Sequence, residues 1–326
     1  MRAPRLLLPL LVILALAAGQ AIAQSQPDQG GGLDDPAGDP ALAPLLQPSV
    51  LDFAPPAGFD PAPGFGATAG FEVVSGQSAG VLTPSYRFTP ALSVKARVPL
   101  IFSRTYTYWN TEAKAGGLGD IGLEGEYRRA WPSGLDLRVQ ASVKLPTGDD
   151  GKTDTVDGAD YATPLGTGST DWFGRVQLAG GGAKLQWLGS LLYRTNGEQE
   201  TITDFGGGST MTTTTTRGDQ FAGAAFARLN VHGRWWLHAG VTVLQVQDDE
   251  VDQSYSDGSP GSSWGVDASG TLVDVLPGVS YAVGRWCPFV GVRIPAATSW
   301  DSPLRAESRD TAFVAQVSWT PALLAH

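Results

Sequence analysis

Residues 135–148 read LDLRVQASVKLPTG. From Leu135 to Leu145 every odd position is aliphatic and every even position is polar or charged. Because side chains alternate across a β-strand, this segment has one apolar face and one polar face. It is also well beyond the ~5–6 residues of a typical soluble strand. Such length and polarity are typical of a strand that crosses an outer membrane, with its aliphatic face toward lipid and its polar face toward a wet lumen.

The same two-residue period returns along the chain and predicts further strands of similar length. Outside the N-terminus no run of about 18 apolar residues occurs, so transmembrane helices are not expected. We expect about twelve strands, near residues 69–77, 80–88, 92–102, 118–129, 134–146, 169–180, 183–195, 218–230, 234–246, 269–282, 286–295 and 311–319.

The links between these strands alternate in length. Short links such as 89–91, 130–133 and 231–233 are followed by long polar links. Short turns at one end and long loops at the other are typical of outer-membrane barrels. The sequence therefore predicts an all-β protein, a closed antiparallel transmembrane β-barrel of about 12 strands in a Gram-negative-type outer membrane. The short links would face the periplasm, and the long links lie at 103–117, 147–168, 196–217, 247–268 and 296–310.

The polar faces of the clearest strands predict the lining of the lumen. These faces carry charges of both signs, which could pair across a narrow lumen, line a water path, or do both. Strands 183–195 and 218–230 are less regular, and their facing is not predicted. The candidate lumen-lining residues are Lys95, Arg97, Glu124, Glu126, Arg128, Asp136, Arg138, Lys144, Asp171 and Arg175.

Aromatic residues collect near both ends of the predicted strands, as expected at the two interfaces of a membrane barrel. Near the short links lie Phe88, Tyr127, Trp131, Trp187, Trp235, Tyr281, Trp286 and Trp319. Near the long links lie Phe102, Trp172, Tyr193, Phe221 and Phe313.

The N-terminus has the features of a secretory signal peptide over residues 1–23, with two arginines, an apolar core and an Ala-Ile-Ala cleavage site. Residues 24–66 are rich in Pro and Gly and predict a periplasmic leader that does not order itself. Its apolar island at 42–53 could tuck into a pore mouth or be plain linker. Residues 67–326 would form the barrel.

Composition excludes several classes of function. The formal net charge of −10 in an exported chain argues against a nucleic-acid partner. Cys287 is the only cysteine, so neither an intrachain disulfide nor a cysteine-based metal site is expected. We therefore expect no cofactor and no metal. The expected partners are outer-membrane lipid and lipopolysaccharide, the barrel-assembly machinery and a small-molecule substrate.

Catalysis is not expected either. The chain has three histidines, and two of them, in a short link and at the C-terminus, are poorly placed. His238 is predicted to point into the lumen, away from the lipid that a membrane hydrolase would attack, and no motif supplies a serine partner. The acidic links do not match a twelve-residue calcium loop. They are better interpreted as solvated outer loops, with divalent ions bridging them to lipid phosphates.

Two stretches resemble a known family. Residues 117–128 begin Gly-Leu-Gly-Asp at the start of a strand, and residues 144–149 read KLPTGD and are followed at 165–171 by LGTGSTD. These motifs resemble a family of outer-membrane transporters named for the meta pathway of phenol degradation. The resemblance covers roughly residues 90–180 and implies a barrel without catalytic residues. One departure is the tail after Trp319, because barrels of this kind commonly end on an aromatic residue.

The residues of these motifs suit strand ends. Proline cannot donate to a β-ladder, and glycine permits a sharp exit from a strand. The alternative is a constriction loop that folds into the pore. The motif residues assigned to turns are Gly119, Asp120, Pro146, Thr147, Gly148, Gly166 and Gly168.

The fold and the resemblance together imply passive uptake of small organic molecules, aromatic or hydrophobic in character, through a porin-like barrel. The substrate part of this expectation is an analogy. The alternative is a structural or surface-interaction barrel whose lumen is closed by ion pairs, and a lipid hydrolase ranks below both.

Overall fold

The computed structural model describes residues 63–319 apart from 75–76, 109–110, 150, 205–208, 258, 267–268, 284–285 and 301–310. The predicted signal peptide, most of the leader and the tail after Trp319 lie outside the described residues. Among the residues that are described, no helix has the length and apolarity needed to cross a membrane.

The described chain is built from β-strands. In chain order they are β1 Gly64–Val74, β2 Gln77–Arg87, β3 Leu92–Tyr108, β4 Thr111–Leu118, β5 Ile121–Ala130, β6 Asp136–Leu145, β7 Thr153–Val156, β8 Ala159–Ala162, β9 Asp171–Gly181, β10 Leu185–Thr195, β11 Glu198–Asp204, β12 Thr210–Thr216, β13 Gln220–His232, β14 Trp235–Val246, β15 Asp249–Tyr255, β16 Ser262–Val266, β17 Gly270–Val275, β18 Gly278–Tyr281, β19 Trp286–Trp300 and β20 Ala312–Trp319.

Twelve strand positions close into one antiparallel barrel. The ring runs β1, β2, β3, β5, β6, β9, β10, β13 and β14, continues through the single position shared by β17 and β18, and returns through β19 and β20 to β1. Pro277 lies between β17 and β18, and it interrupts the strand at that position because proline has no N–H to donate. The predicted twelve-stranded closed barrel is confirmed.

The predicted strand 118–129 is observed as β5, and an additional strand, β4, precedes it within the predicted long link. The C-terminal half of β3 pairs with β4, and the N-terminal half of β3 pairs with β5. Between β4 and β5 the chain leaves the ladder at Gly119 and Asp120. The region predicted as a long polar link at 103–117 is therefore largely a hairpin that extends the barrel wall on the extracellular side.

A second sheet rises from two other long links. Strands β11, β12, β15 and β16 form a four-stranded antiparallel sheet, and β7 pairs with β8 in a separate hairpin. The sequence predicted these segments as polar links. They differ from that prediction because threonine-rich and acidic strands with solvent on both faces show no hydrophobic alternation.

The outer face of the barrel suits lipid. Neighbouring positions on single strands contrast sharply: Val139 is 43% exposed and Gln140 2%, and Leu191 is 56% exposed and Leu192 3%. Aromatic side chains at both ends of the strands, including Trp172 at 61%, are also exposed. A closed barrel with an apolar outer band between two aromatic girdles is the architecture of a protein that spans an outer membrane. The short links lie at its periplasmic end.

Candidate functional site: the barrel lumen

The lumen has two chemically different sectors. All ten candidate lumen-lining residues point inward, on β3, β5, β6 and β9, and form what we call the ion-paired sector. The opposite wall, chiefly on β10, β13, β14, β17, β19 and β20, carries two buried apolar clusters among polar side chains and forms the apolar sector.

Glu124 is the centre of the ion-paired sector. Its carboxylate accepts from Lys95 Nζ at 2.8 Å and from Arg97 Nη2 at 2.9 Å, and Arg175 Nη2 lies 3.6 Å away. These contacts form because β3 and β5 place Lys95 directly opposite Glu124. The Glu124 side chain is fully buried. One carboxylate on β5 thus binds three cations, two from β3 and one from β9.

A second group of charges lies nearer the periplasmic end. Glu126 accepts from Lys95 at 2.8 Å and from Gln140 Nε2 at 2.6 Å. Asp136 lies 2.8 Å from Arg128 Nη2 and 3.2 Å from Arg138 Nη2. Because all of these groups are buried or nearly so, their charges are compensated within the barrel rather than by bulk water.

The third group lies at the extracellular end of the same sector. Lys144 Nζ is 2.5 Å from Asp171, and the same carboxylate also binds Arg194. Asp171 further accepts from Ser169 Oγ at 2.8 Å and from the backbone N–H of Gly197 at 3.0 Å. Arg194 was not predicted, because it lies in the irregular strand 183–195, whose facing the sequence did not indicate.

Asp120 forms hydrogen bonds to two loops that contain the sequence motifs. Its Oδ1 accepts from the N–H of Gly148 at 2.9 Å, and its Oδ2 accepts from the N–H of Thr167 at 2.8 Å and from the Thr167 hydroxyl at 2.9 Å. Lys144 Nζ lies 3.5 Å from the same carboxylate. The sequence assigned Asp120 to a turn at the start of a strand. The structure places it in the break between β4 and β5, where it accepts hydrogen bonds from two loops.

The other motif residues lie in the same region as Asp120. The Thr147 hydroxyl accepts from the N–H of Ile121 at 2.8 Å, and the N–H of Gly119 donates to Pro99 at 3.0 Å. Pro146 follows the end of β6 and is exposed. Gly168 has φ 68°, a conformation that glycine adopts without strain. The turn roles that the sequence suggested therefore combine into one tertiary contact.

The loop after β8 packs against the inner face of the wall formed by β3 and β4. Leu165 is 5% exposed and packs in a buried cluster with Ile101, Tyr106 and Ala115. Ile101 is an inward-facing residue of β3, and the Tyr106 hydroxyl donates to the carbonyl of Pro164. This loop therefore contacts both the inner face of the wall and the loop that follows β6.

The apolar sector consists of two buried clusters. The extracellular one contains Phe173, Leu192, Ala222, Leu244, Val246 and Leu272. The other contains Ala179, Leu188, Phe226, Leu276, Phe289 and Val314, with Ala224 and Cys287 packed against it. Sequence reasoning missed this sector, since strands with apolar residues on both faces lose the contrast from which facing is predicted.

A polar row lies at the periplasmic end of the apolar sector. The β-ladder places Arg228 opposite both Gln186 and His238. Arg228 Nε donates to Gln186 Oε1 at 2.7 Å, and its guanidinium lies 4.6 Å from the ring centroid of Trp236. His238 Nε2 is 2.7 Å from the hydroxyl of Ser280. His238 therefore points into the lumen. Its serine neighbour, Ser280, was not indicated by any sequence motif.

Within the described residues, no group of three or more His, Cys, Asp or Glu side chains has the arrangement needed to hold a metal ion.

No family model matches the sequence, and no curated protein matches it. Solved structures do match. An outer membrane channel from Pseudomonas putida F1 aligns with a TM-score of 0.58 and 12% identity over 79% of this chain and 96% of that chain. The NanC porin aligns with a TM-score of 0.46 and 10% identity, covering 79% and 100% of the two chains. The toluene transporter TodX of Pseudomonas putida aligns at 0.44 and 13%, covering 86% and 93%. At these identities the likeness concerns the fold, that of an outer-membrane β-barrel.

Proposed function

We propose that this protein is an outer-membrane barrel for the passive uptake of small organic molecules of aromatic or hydrophobic character. The observation that carries the proposal is the apolar sector of the lumen. Binding sites for organic molecules are mostly apolar with a few placed polar groups. A lumen with an apolar wall facing an ion-paired wall offers such a surface along the barrel.

The resemblance to the transporter family named for the meta pathway of phenol degradation supports the same function. Asp120 connects the segments that carry this resemblance, since its carboxylate accepts hydrogen bonds from the N–H groups of Gly148 and Thr167. These segments are Gly119-Asp120, Pro146-Thr147-Gly148 and 165–171. We propose from these motifs that the chain is related to that family. We assign no catalytic role to His238 and Ser280, since the pair faces the lumen rather than the bilayer.

A structural or surface-interaction barrel is the second candidate. The observation that favours it is the burial of the charged lumen residues, with Lys144 at 1% exposure and Asp171 at 0%. In that case the ion pairs would close the lumen, and the extracellular sheet of β11, β12, β15 and β16 would carry the function.

One pair of variants separates passage through the lumen from these alternatives. Ala224 packs inward against the apolar sector, and its neighbour Ala225 is exposed on the lipid face. Ala224→Trp should block an apolar path, whereas Ala225→Trp adds the same side chain outside it. The measurement is the initial rate at which Gram-negative cells expressing each variant accumulate radiolabelled toluene and phenol.

We expect wild-type and Ala225→Trp cells to accumulate label faster than cells without the protein, and Ala224→Trp to lower the rate several-fold. Equal rates in wild-type cells and in cells without the protein, together with no conductance of the purified protein in a planar bilayer, would support the structural candidate. Equal rates for the two tryptophan variants would exclude the lumen as the route.

A further inference from the structure

Arg228 places a permanent charge between polar ladder neighbours and the second apolar cluster. Among the described inward-facing residues on the periplasmic halves of β10, β13, β14, β19 and β20, and on β18, it is the only arginine, lysine, aspartate or glutamate. Its ladder neighbours Gln186 and His238 are polar, and Phe226 lies two residues before it on the same inward face. Arg228 is half-buried.

Trp236 fixes the plane of this guanidinium. The ring stacks on it at 4.6 Å, and the Gln186 side-chain oxygen binds its Nε. An arginine whose plane is fixed in this way suits planar, bidentate recognition of a carboxylate. The Ser280 hydroxyl and the His238 ring lie on the neighbouring strands and add further hydrogen-bonding groups.

Aromatic rings lie flat against the wall beside this row. A β-carbon on Gly240 would overlap the ring of Phe226, so that ring covers a glycine of the next strand. The ring of Phe289 covers Gly278 and Gly291 in the same manner. Glycine is needed at these positions because any larger residue would push the rings away from the wall. The apolar sector therefore ends in flat aromatic surfaces immediately beside Arg228.

The inward-facing side chains together carry a positive net charge, the same sign as Arg228. Cationic side chains outnumber acidic ones among the described inward-facing residues, although the chain as a whole is acidic. The cations are Arg87, Lys95, Arg97, Arg128, Arg138, Lys144, Arg175, Arg194, Arg228 and Arg293. The acids are Glu72, Asp120, Glu124, Glu126, Asp136, Asp171 and Asp274. A low-dielectric wall strengthens the field of such a surplus and favours an anionic solute.

We infer that the Arg228 row is a binding site for the carboxylate of an organic acid, whose apolar body lies against Phe226 and Phe289. This inference rests on the proposed function and narrows its substrate class to acids with an aromatic or aliphatic body. Arg228 donates to the carboxylate oxygens, while Trp236 and Gln186 hold the guanidinium in place.

Binding of a matched pair of ligands tests the site without requiring transport. The probes are 4-fluorobenzoate and 4-fluorobenzyl alcohol, which share the ring and differ in the charge of the head group. Their binding to the protein in lipid nanodiscs is followed by the broadening of the fluorine NMR signal, with empty nanodiscs as the blank. We expect wild type to bind the acid at least tenfold more tightly than the alcohol, because hydrogen bonds to a charged partner are the stronger ones.

Arg228→Gln should abolish this preference, lowering affinity for the acid about tenfold or more and leaving the alcohol within about twofold. Arg228→Lys keeps the charge and should retain part of the preference. The control is Arg129→Gln, which removes an exposed arginine that stacks on Trp131 at 5.2 Å outside the lumen. That variant should behave as wild type. Migration of unheated protein in a denaturing gel verifies folding of each barrel.

Equal affinity of wild type for the two probes, or unchanged acid binding by a folded Arg228→Gln variant, would overturn the inference. Its failure differs from failure of the proposed function. Uptake of toluene and phenol without preferential acid binding would support the proposed uptake function and contradict the Arg228 binding site. Acid binding without any uptake would support the binding site and contradict the uptake function.

Discussion

The backbones of Gly148 and Gly166 are in direct contact, since a β-carbon added to Gly148 would lie 2.7 Å from the Cα of Gly166. A β-carbon on Gly166 would likewise lie 2.5 Å from Asp120 Oδ1. The two loops can therefore approach only because both positions lack a side chain.

Gly166→Ala should separate these loops and lower the free energy of unfolding by about 1–3 kcal/mol, as overpacking of a tight contact does. Urea unfolding in detergent, followed by tryptophan fluorescence, measures the loss. Gly151→Ala is the control in the same loop, where the nearest atom to an added β-carbon is 3.9 Å away. A loss of equal size in the control would show that the contact is not the cause.

Asp120→Ala should be more costly than the glycine substitution. It removes the acceptor for the N–H groups of Gly148 and Thr167 and a carboxylate near Lys144. Leaving such groups without the acceptor should cost about 3 kcal/mol. Limited proteolysis of intact cells should also cleave the loop over 151–166 faster than in wild type. The exposed Asp149 of the same loop supplies the control Asp149→Asn, and comparable protection of both variants would contradict the role assigned to Asp120.

Glu124→Gln should destabilise the barrel by about 3–5 kcal/mol, because it leaves three cations on β3 and β9 without their shared, fully buried carboxylate. Glu112→Gln removes a surface partner of Lys114 at 3.6 Å and should change stability by no more than about 1 kcal/mol. The comparison uses the midpoint of urea unfolding. Similar midpoints for the two variants would mean that the lumen charges are solvated rather than paired.

A disulfide across β12 and β15 should form between Thr213→Cys and Gln253→Cys in a Cys287→Ser background. These residues face each other in the ladder, and their side chains are 3.5 Å apart at Nε2 and Oγ1. Paired strand positions suit disulfide geometry. Cross-linking is measured on cells by the gel shift on reduction. Thr213→Cys with Asp252→Cys places the second thiol on the opposite face, and efficient linking of that pair would refute the register.

Sequence patterns predicted the barrel wherever the two faces of a strand differ in polarity. The alternation from Leu135 to Leu145 leads directly to the observed strand, with Asp136, Arg138 and Lys144 inward. The contrast fails on β10 and β13, where Leu188 and Phe226 face the lumen and lipid-facing residues are apolar too. The apolar sector therefore became visible only in three dimensions.

Tertiary contacts of loops were equally hidden from the sequence. The separation of Asp120 from Thr167 along the chain gives no sign that their loops meet. Ser280 is 42 residues from His238, and only the ladder between β14 and β18 brings them together. Periodicity reports the faces of one strand and contains no information on which strands become neighbours.

Closure of the ring joins the two ends of the described chain, with the hydroxyls of Thr68 and Ser318 3.3 Å apart although 250 residues separate them. Until β20 has been synthesised and paired, β1 keeps one edge of unsatisfied N–H and C=O groups. Contacts between such distant residues form slowly. Assembly of this protein should therefore be committed only by its last strand, and truncation before Ala312 should yield chains that insert poorly and are degraded rather than a smaller barrel.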